Sequence, residues 1–168
     1  TLIKLRKELM AQIMQFKNEL SMDDFSAMPY KNAKGYHNKT IAYSLWHIFR
    51  IEDIVAHSLI ADDEQVFFKE GYQSRINSPI ITTGNELVQE EIEKFSQKLS
   101  VEELYNYITD VDASTTQLLK SLTFQDTKEK RNALRTEVET LKLTLQGEFI
   151  KQNTARLAVT SARERQEE

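Results

Sequence analysis

Residues 40–60 read TIAYSLWHIFRIEDIVAHSLI and show the spacing of one helix face. Their apolar residues recur at steps of three, four and seven, namely Ile41, Leu45, Ile48, Val55 and Leu59. Residues at these steps lie on the same side of an α-helix. Asn38 precedes them, and its side chain can accept a hydrogen bond from a free N–H of the first turn. We therefore predict a helix from about residue 38 to about residue 61, with Asn38 as its cap.

The same periodicity recurs in three other long segments of the chain. In the first segment the apolar stripe is Leu2, Leu5, Leu9, Ile13, Phe16 and Leu20. A later segment carries Leu104, Ile108, Val111, Thr115, Leu118 and Leu122, and the last carries Leu134, Val138, Leu141, Leu145 and Phe149. Four amphipathic helices without β-type alternation predict an all-α fold, a four-helix bundle that forms a single domain over residues 1–168. We expect its core to contain Leu9, Ile13, Leu45, Ile48, Ile108, Val111, Leu141 and Leu145.

Two connections interrupt this pattern, over residues 23–37 and residues 62–83. A loop as long as the second one is usually packed down by its own aromatic residues or functional. Ser100 and Glu103 have the three-residue spacing of a capping box, in which each side chain bonds the backbone of the other residue. The third long helix is therefore predicted to begin at Val101.

Composition excludes several classes of protein. The chain has 168 residues, with 26 Asp and Glu against 22 Lys and Arg, a net charge of −4, and no Cys. The lack of Cys excludes a disulfide framework, a thiolate zinc site and a cysteine nucleophile. The acidic balance disfavours nucleic-acid binding, and no apolar stretch approaches the roughly 20 residues that a membrane-spanning helix needs. Residues 1–8 are typical of a charged amphipathic helix rather than a signal peptide, so we expect a cytoplasmic protein without nucleic-acid or membrane partners.

His47 is the first candidate for chemistry, because it lies among apolar residues where a helix face meets the core. A neutral imidazole at such a position can coordinate a metal ion or act as a general base. The alternative is a histidine at the edge of the core that bonds a backbone carbonyl or a carboxylate. The residue types alone favour this alternative.

The other histidines give no metal site with His47. His37, His47 and His57 are ten residues apart, and ten helical residues rise about 15 Å, which is too far for two of them to bind one ion. A metal at His47 must therefore take its other ligands from other helices. His57 follows Asp53 by four residues, and the simplest prediction for these two is an ion pair on the helix surface.

The run WHIFRIED, residues 46–53, resembles the DinB-like, or YfiT-like, metalloenzyme superfamily of bacterial four-helix bundles. The similarity continues in EGYQSRINSPIITTGNEL, residues 70–87, and in SVEELYNYITDVDASTTQLLKSL, residues 100–122. It covers about residues 1–125. The resemblance implies an up-down-down-up bundle that is frequently a homodimer.

The resemblance also implies a nickel or zinc site, with one His from the second helix and an HxxxH pair from the last. Family members include S-transferases that use bacillithiol or mycothiol, and a mycothiol-dependent maleylpyruvate isomerase. In these enzymes the metal acts as a Lewis acid that lowers the pKa of the cofactor thiol. His47 matches the ligand of the second helix, but no His follows His57, so the HxxxH pair is missing. Glu148 and Gln152 stand four residues apart in that region.

The sequence leaves two alternative functions. The first is a metal-dependent hydrolase or thiol S-transferase, with His47 as a ligand to Zn or Ni and a small-molecule thiol as partner. The second is a bundle that has lost the metal site and serves as a dimerising or binding module. Since catalytic zinc sites use three protein ligands, we expect no tightly bound metal. We also predict a homodimer, formed through apolar residues off the main stripe of the second helix: Ala42, Trp46, Phe49 and Ile60.

Overall fold

The computed structural model describes residues 2–28, 38–123, 125–126, 128–129, 131–144 and 146. The secondary structure of these residues is helical, without a strand, which confirms the all-α prediction. The chain divides into two compact units, Thr1–Leu122 and Thr123–Glu168. The prediction of a single domain over residues 1–168 stays a prediction.

The first unit contains three long helical segments and several short ones. In chain order these are α1 (Leu2–Glu19), α2 (Met22–Ser26), α3 (Ile41–Asp53), a π-helix (Ile54–Ala61) that continues α3, α4 (Val66–Lys69), α5 (Tyr72–Ile76), α6 (Glu90–Lys98) and α7 (Val101–Ser121). α7 packs against α1, α3, α4 and α5. None of the helices described is both long and apolar enough to cross a membrane.

Two of the long helices begin close to where the sequence predicts. α3 begins at residue 41, but its cap is Thr40 and not Asn38, since the Thr40 hydroxyl accepts the N–H of Tyr43 at 3.0 Å. α7 begins directly after Ser100, as predicted, and the Ser100 hydroxyl accepts the N–H of Glu103 at 3.4 Å. The two caps hold the N-termini of the helices that form most of the core.

The connection predicted over residues 62–83 contains the short helices α4 and α5, which pack their own aromatic residues into the core. Phe67 and Tyr72 are fully buried. The Phe67 ring contacts Trp46 of α3 edge-on, with 5.4 Å between ring centroids, and Tyr107 of α7 at 5.8 Å. This segment therefore supplies part of the core, which explains its length.

Of the eight residues predicted to form the core, four are buried, three are exposed and one lies outside the described residues. Ile13, Leu45, Ile108 and Val111 are buried. Leu9, Ile48 and Leu141 are instead exposed, with 53%, 50% and 55% of their surface accessible. Leu145 lies outside the described residues.

The prediction for α3 is wrong about which face of the helix turns toward the core. The residues predicted to lie off its core stripe and to form a dimer, Ala42, Trp46 and Phe49, are buried in the chain's own core. The stripe predicted to be buried carries Ile48 and Val55, which are exposed. Large aromatic side chains contribute more burial area than aliphatic ones, so the helix turns Trp46 and Phe49 inward.

In the second unit, residues 131–144 are helical. Several of its apolar side chains are exposed, namely Val138, Leu141 and Leu143. Phe149, predicted as the end of this apolar stripe, lies outside the described residues.

Candidate functional site

His47 is partly buried on α3 and is held in one orientation by two contacts. Its Nδ1 lies 2.8 Å from the backbone oxygen of Thr83, and its ring stacks on Tyr43 with 5.6 Å between centroids. A carbonyl oxygen only accepts hydrogen bonds, so Nδ1 carries a proton, and in the neutral ring Nε2 carries the lone pair. A bond from the other ring nitrogen to a carbonyl is usual for metal-ligating histidines. It is also the bond expected of a histidine at the core edge, so both interpretations of His47 fit this geometry.

The described residues do not complete a metal site around His47. Among them, no three His, Cys, Asp or Glu side chains lie close enough together to hold an ion. Glu148 and Gln152, which stand where the resemblance expects the missing ligands, lie outside the described residues. The role of His47 as a metal ligand stays a prediction.

A buried ion pair occupies the centre of the unit, one turn beyond His47. The guanidinium of Arg50 donates to the carboxylate of Asp53 at 3.2 Å, and both side chains are almost completely inaccessible to solvent. Arg50 also donates to the side chain of Gln65 at 2.9 Å and to the backbone oxygen of Ile81 at 2.8 Å. A buried charge is tolerated when several partners surround it, and here only the buried Nε of Arg50 lacks one among its nitrogens.

The carboxylate of Asp53 joins three parts of the fold. It accepts the backbone N–H groups of Val66 and Phe67 at 2.9 and 3.0 Å, which holds the start of α4. The Tyr107 hydroxyl donates to it from α7 at 2.8 Å. Burial, with the nearby charge of Asp53, raises the pKa of Tyr107 above its ordinary value, so this hydroxyl keeps its proton. The network holds α3, α4 and α7 together.

His57 is placed differently from its prediction. An Asp53 oxygen lies 4.0 Å from Nε2 of His57, at the limit of an ion pair, but both residues are buried, so the prediction that this pair lies on the helix surface is wrong. The imidazole, itself buried, instead has Nδ1 2.6 Å from Oδ1 of Asp63 and Nε2 3.0 Å from the Ser114 hydroxyl. The sequence gives no signal for Ser114, which is 57 residues away along the chain.

An exposed apolar surface lies along α1, α3 and the π-helix, and we call it the α1–α3 face. Its residues are Leu2, Leu9, Phe16, Ile48, Ile51 and Val55, each of them exposed. They line two grooves of about 340 Å³ each, and Ile48 belongs to both grooves. The surface therefore continues from one groove to the next.

Arg6 lies on the α1–α3 face with its charge already compensated. Its guanidinium donates two hydrogen bonds to Glu52, at 2.9 and 2.7 Å, and one to Asp112 at 2.6 Å. The hydrogen bonds and the charge of Glu52, together with those of Asp112, raise the pKa of Arg6 against the opposing effect of burial. Glu52 is therefore committed to Arg6.

No protein-family model matches the chain, and no curated protein matches it either. The likeness to DinB-like proteins therefore rests on the residues quoted above and stays a hypothesis.

Proposed function

We propose that the chain is a dimerising module, and that the α1–α3 face of one copy packs against the same face of a second copy. The observation that carries this proposal is the continuous exposed apolar surface of two long helical segments. Monomeric proteins rarely leave large contiguous apolar patches in contact with water. Each Å² of apolar surface removed from water stabilises an assembly by roughly 25 cal/mol before the costs of association.

The charges on the face support a second copy as the occupant. A two-fold interface brings the same patch of both copies together, so an unpaired charge near its centre would face its own kind. Arg6 leaves no unpaired positive charge, because Glu52 and Asp112 of its own chain bind it; one positive and two negative groups give this cluster a net charge of −1. The face is therefore compatible with its own copy.

The residues of this interface differ from those that the sequence suggests. The chain's own core buries Ala42, Trp46 and Phe49. In the proposed interface their place is taken by Ile48, Ile51 and Val55. The homodimer predicted from the sequence is therefore retained in this proposal, but its interface lies on the α1–α3 face. The finer architecture, an up-down-down-up DinB-like four-helix bundle, remains part of the proposal and rests on the resemblance.

A matched pair of isoleucines tests the dimer. Ile48 on the α1–α3 face and Ile81 away from it are similarly exposed, at 50% and 47%. Light scattering of the wild-type chain at micromolar concentration should give twice the 19.6 kDa monomer mass. Ile48→Glu should give the monomer mass because it places two charges in the interface, and Ile81→Glu should remain dimeric. A monomeric wild-type chain at 100 µM would refute the proposal.

A second function, metal-dependent thiol transfer with His47 as a ligand, is favoured by one observation. The hydrogen bond to Thr83 leaves the lone pair of Nε2 available for a metal ion. The described residues supply this one nitrogen and not the three protein ligands of a catalytic zinc site, so we derive no reaction step through a metal. Elemental analysis of tag-free protein tests this function. Near-stoichiometric Zn or Ni that is lost in His47→Ala would support it, and protein without either metal would contradict it.

A further inference from the structure

Ser114, His57 and Asp63 form a hydrogen-bonded chain that none of the functions above uses. The Ser114 hydroxyl on α7 lies 3.0 Å from Nε2 of His57, and Nδ1 of the same ring lies 2.6 Å from Oδ1 of Asp63. A nucleophile within hydrogen-bond reach of a base, with the base oriented by a third group, is the structural signature of an activated nucleophile. The three side chains come from α7, the π-helix and the loop after it.

The direction of each hydrogen bond follows from the partners. An ionised carboxylate only accepts, so Asp63 receives the proton of Nδ1. This leaves the lone pair of neutral His57 on Nε2, where it accepts the hydroxyl proton of Ser114. The tautomer is therefore the one that a general base needs.

The backbone around His57 is shaped to bring Asp63 back to the ring. The helix widens into a π-helix over Ile54–Ala61, a form that is frequent at functional sites. It ends at Asp62, whose left-handed backbone, with φ of 59°, reverses the chain. The N–H of Asp63 then donates to the backbone oxygen of His57 at 3.1 Å. A regular α-helix ending would direct Asp63 elsewhere.

A second carboxylate lies near His57. Asp53 is fully buried, and its Oδ1 lies 4.0 Å from Nε2. Asp63 lies against Nδ1 and faces the positive charge that forms on the imidazole when it takes a proton, whereas Asp53 is already paired with Arg50. Ser114 is partly exposed and Asp63 is 58% exposed, so the three side chains lie at the edge of the core.

We propose that Ser114 is a nucleophile that accepts an acyl group from an activated carboxylic ester, with His57 as its general base and Asp63 as a positioning residue. Oγ of Ser114 forms a bond to the carbonyl carbon while its proton passes to Nε2. The bond from that carbon to the leaving oxygen then breaks, and the proton passes from Nε2 to the leaving group. The products are acyl-Ser114 and a free alcohol or phenol.

The test uses p-nitrophenyl acetate and the full chain, with nitrophenolate release followed by absorbance and the acetylated residue identified by peptide mass spectrometry. We expect one acetyl group on Ser114 per chain. Ser114→Ala should remove this label, and His57→Gln should slow its formation by about 100-fold, the size of a general-base contribution. Ser121→Ala is the control, since Ser121 lies on the same helix with its hydroxyl bonded to a backbone oxygen.

Two variants at Asp63 separate positioning from folding. Asp63→Asn should slow acetylation and Asp63→Glu should restore most of the rate, while thermal melting shows that both variants fold. Ser114→Ala keeps the helix intact, because alanine is the best helix former. Acetylation on His57 itself, on Lys side chains only, or on Ser114 at an equal rate in His57→Gln would overturn the proposal.

Discussion

At the scale of single residues, the interior of the first unit depends on the pairing of Arg50 with Asp53. Both groups are buried, and their hydrogen bonds reach Tyr107, Gln65 and the start of α4. Replacing such a pair with apolar groups is often neutral, whereas removing one partner leaves an uncompensated charge. Each of the two charged groups therefore depends on the other remaining in place.

We predict that Asp53→Ala destabilises the protein by about 3–5 kcal/mol, because Arg50 and two backbone N–H groups lose their acceptor. Urea unfolding followed by circular dichroism measures this loss. Glu8→Ala is the control, since Glu8 forms an exposed pair with Lys4 at 3.8 Å and should cost less than about 1 kcal/mol. Equal effects of the two substitutions would contradict the role given to Asp53.

Tyr105 gives a prediction for alkaline pH. Burial raises the pKa of Tyr105 from 10.0 to about 12, and its hydroxyl donates to the backbone oxygen of Ile13 at 3.0 Å. The unfolded chain therefore loses this proton at lower pH than the folded chain. The contribution of Tyr105 to stability is complete below pH 10.0 and decreases between pH 10.0 and about 12. Between pH 9 and 11, the free energy of unfolding measured with urea should fall less for Tyr105→Phe than for the wild type. An equal fall in both proteins would contradict this assignment.

At the scale of elements, the orientation of α3 decides which residues are core and which are surface. Trp46 contacts aromatic rings of α4, α6 and α7, and Phe49 is buried, whereas Ile48 is exposed. The same helix therefore contributes to the core with one apolar face and to the proposed dimer with the other. A helix with two apolar faces is expected where both are covered by protein.

A comparison of two isoleucines outside the proposed interface tests which residues form the core. Ile108 of α7 is fully buried, whereas Ile81 is 47% exposed. Ile108→Ala should cost about 2–5 kcal/mol, because it removes apolar contacts and leaves a cavity. Ile81→Ala should cost well under half of that in the same urea titration. A small loss at Ile108 would mean that α7 does not form the centre of the core.

At the scale of the whole molecule, the proposed dimer couples folding to protein concentration. A partner that binds only the folded chain stabilises it by mass action. Each tenfold increase in concentration should then raise the melting temperature by about 2 °C for a dimer of this size. Calorimetry of wild-type protein over two decades of concentration measures the shift, and Ile48→Glu should remove it. A wild-type melting temperature independent of concentration would argue against the dimer.

The sequence by itself determined the helices and some of their limits. Apolar spacing is a local property, so it correctly places α1, α3 with its π-helical continuation, and α7. The cap at Ser100 depends on residues three apart, and the start of α7 is therefore predicted to the residue. The resemblance and the role of His47 remain predictions from the same local signals.

Only the tertiary structure decided which apolar face of α3 turns inward and which groups meet His57. Periodicity defines two apolar stripes on α3, and the choice between them depends on the surfaces of α4, α6 and α7, which no local pattern contains. The hydrogen bond between His57 and Ser114 joins residues 57 positions apart, and it exists because the packing of the π-helix against α7 brings them together. Spacing along the chain carries information about one helix, whereas contacts between helices are set by the volume and shape of the side chains that fill the core.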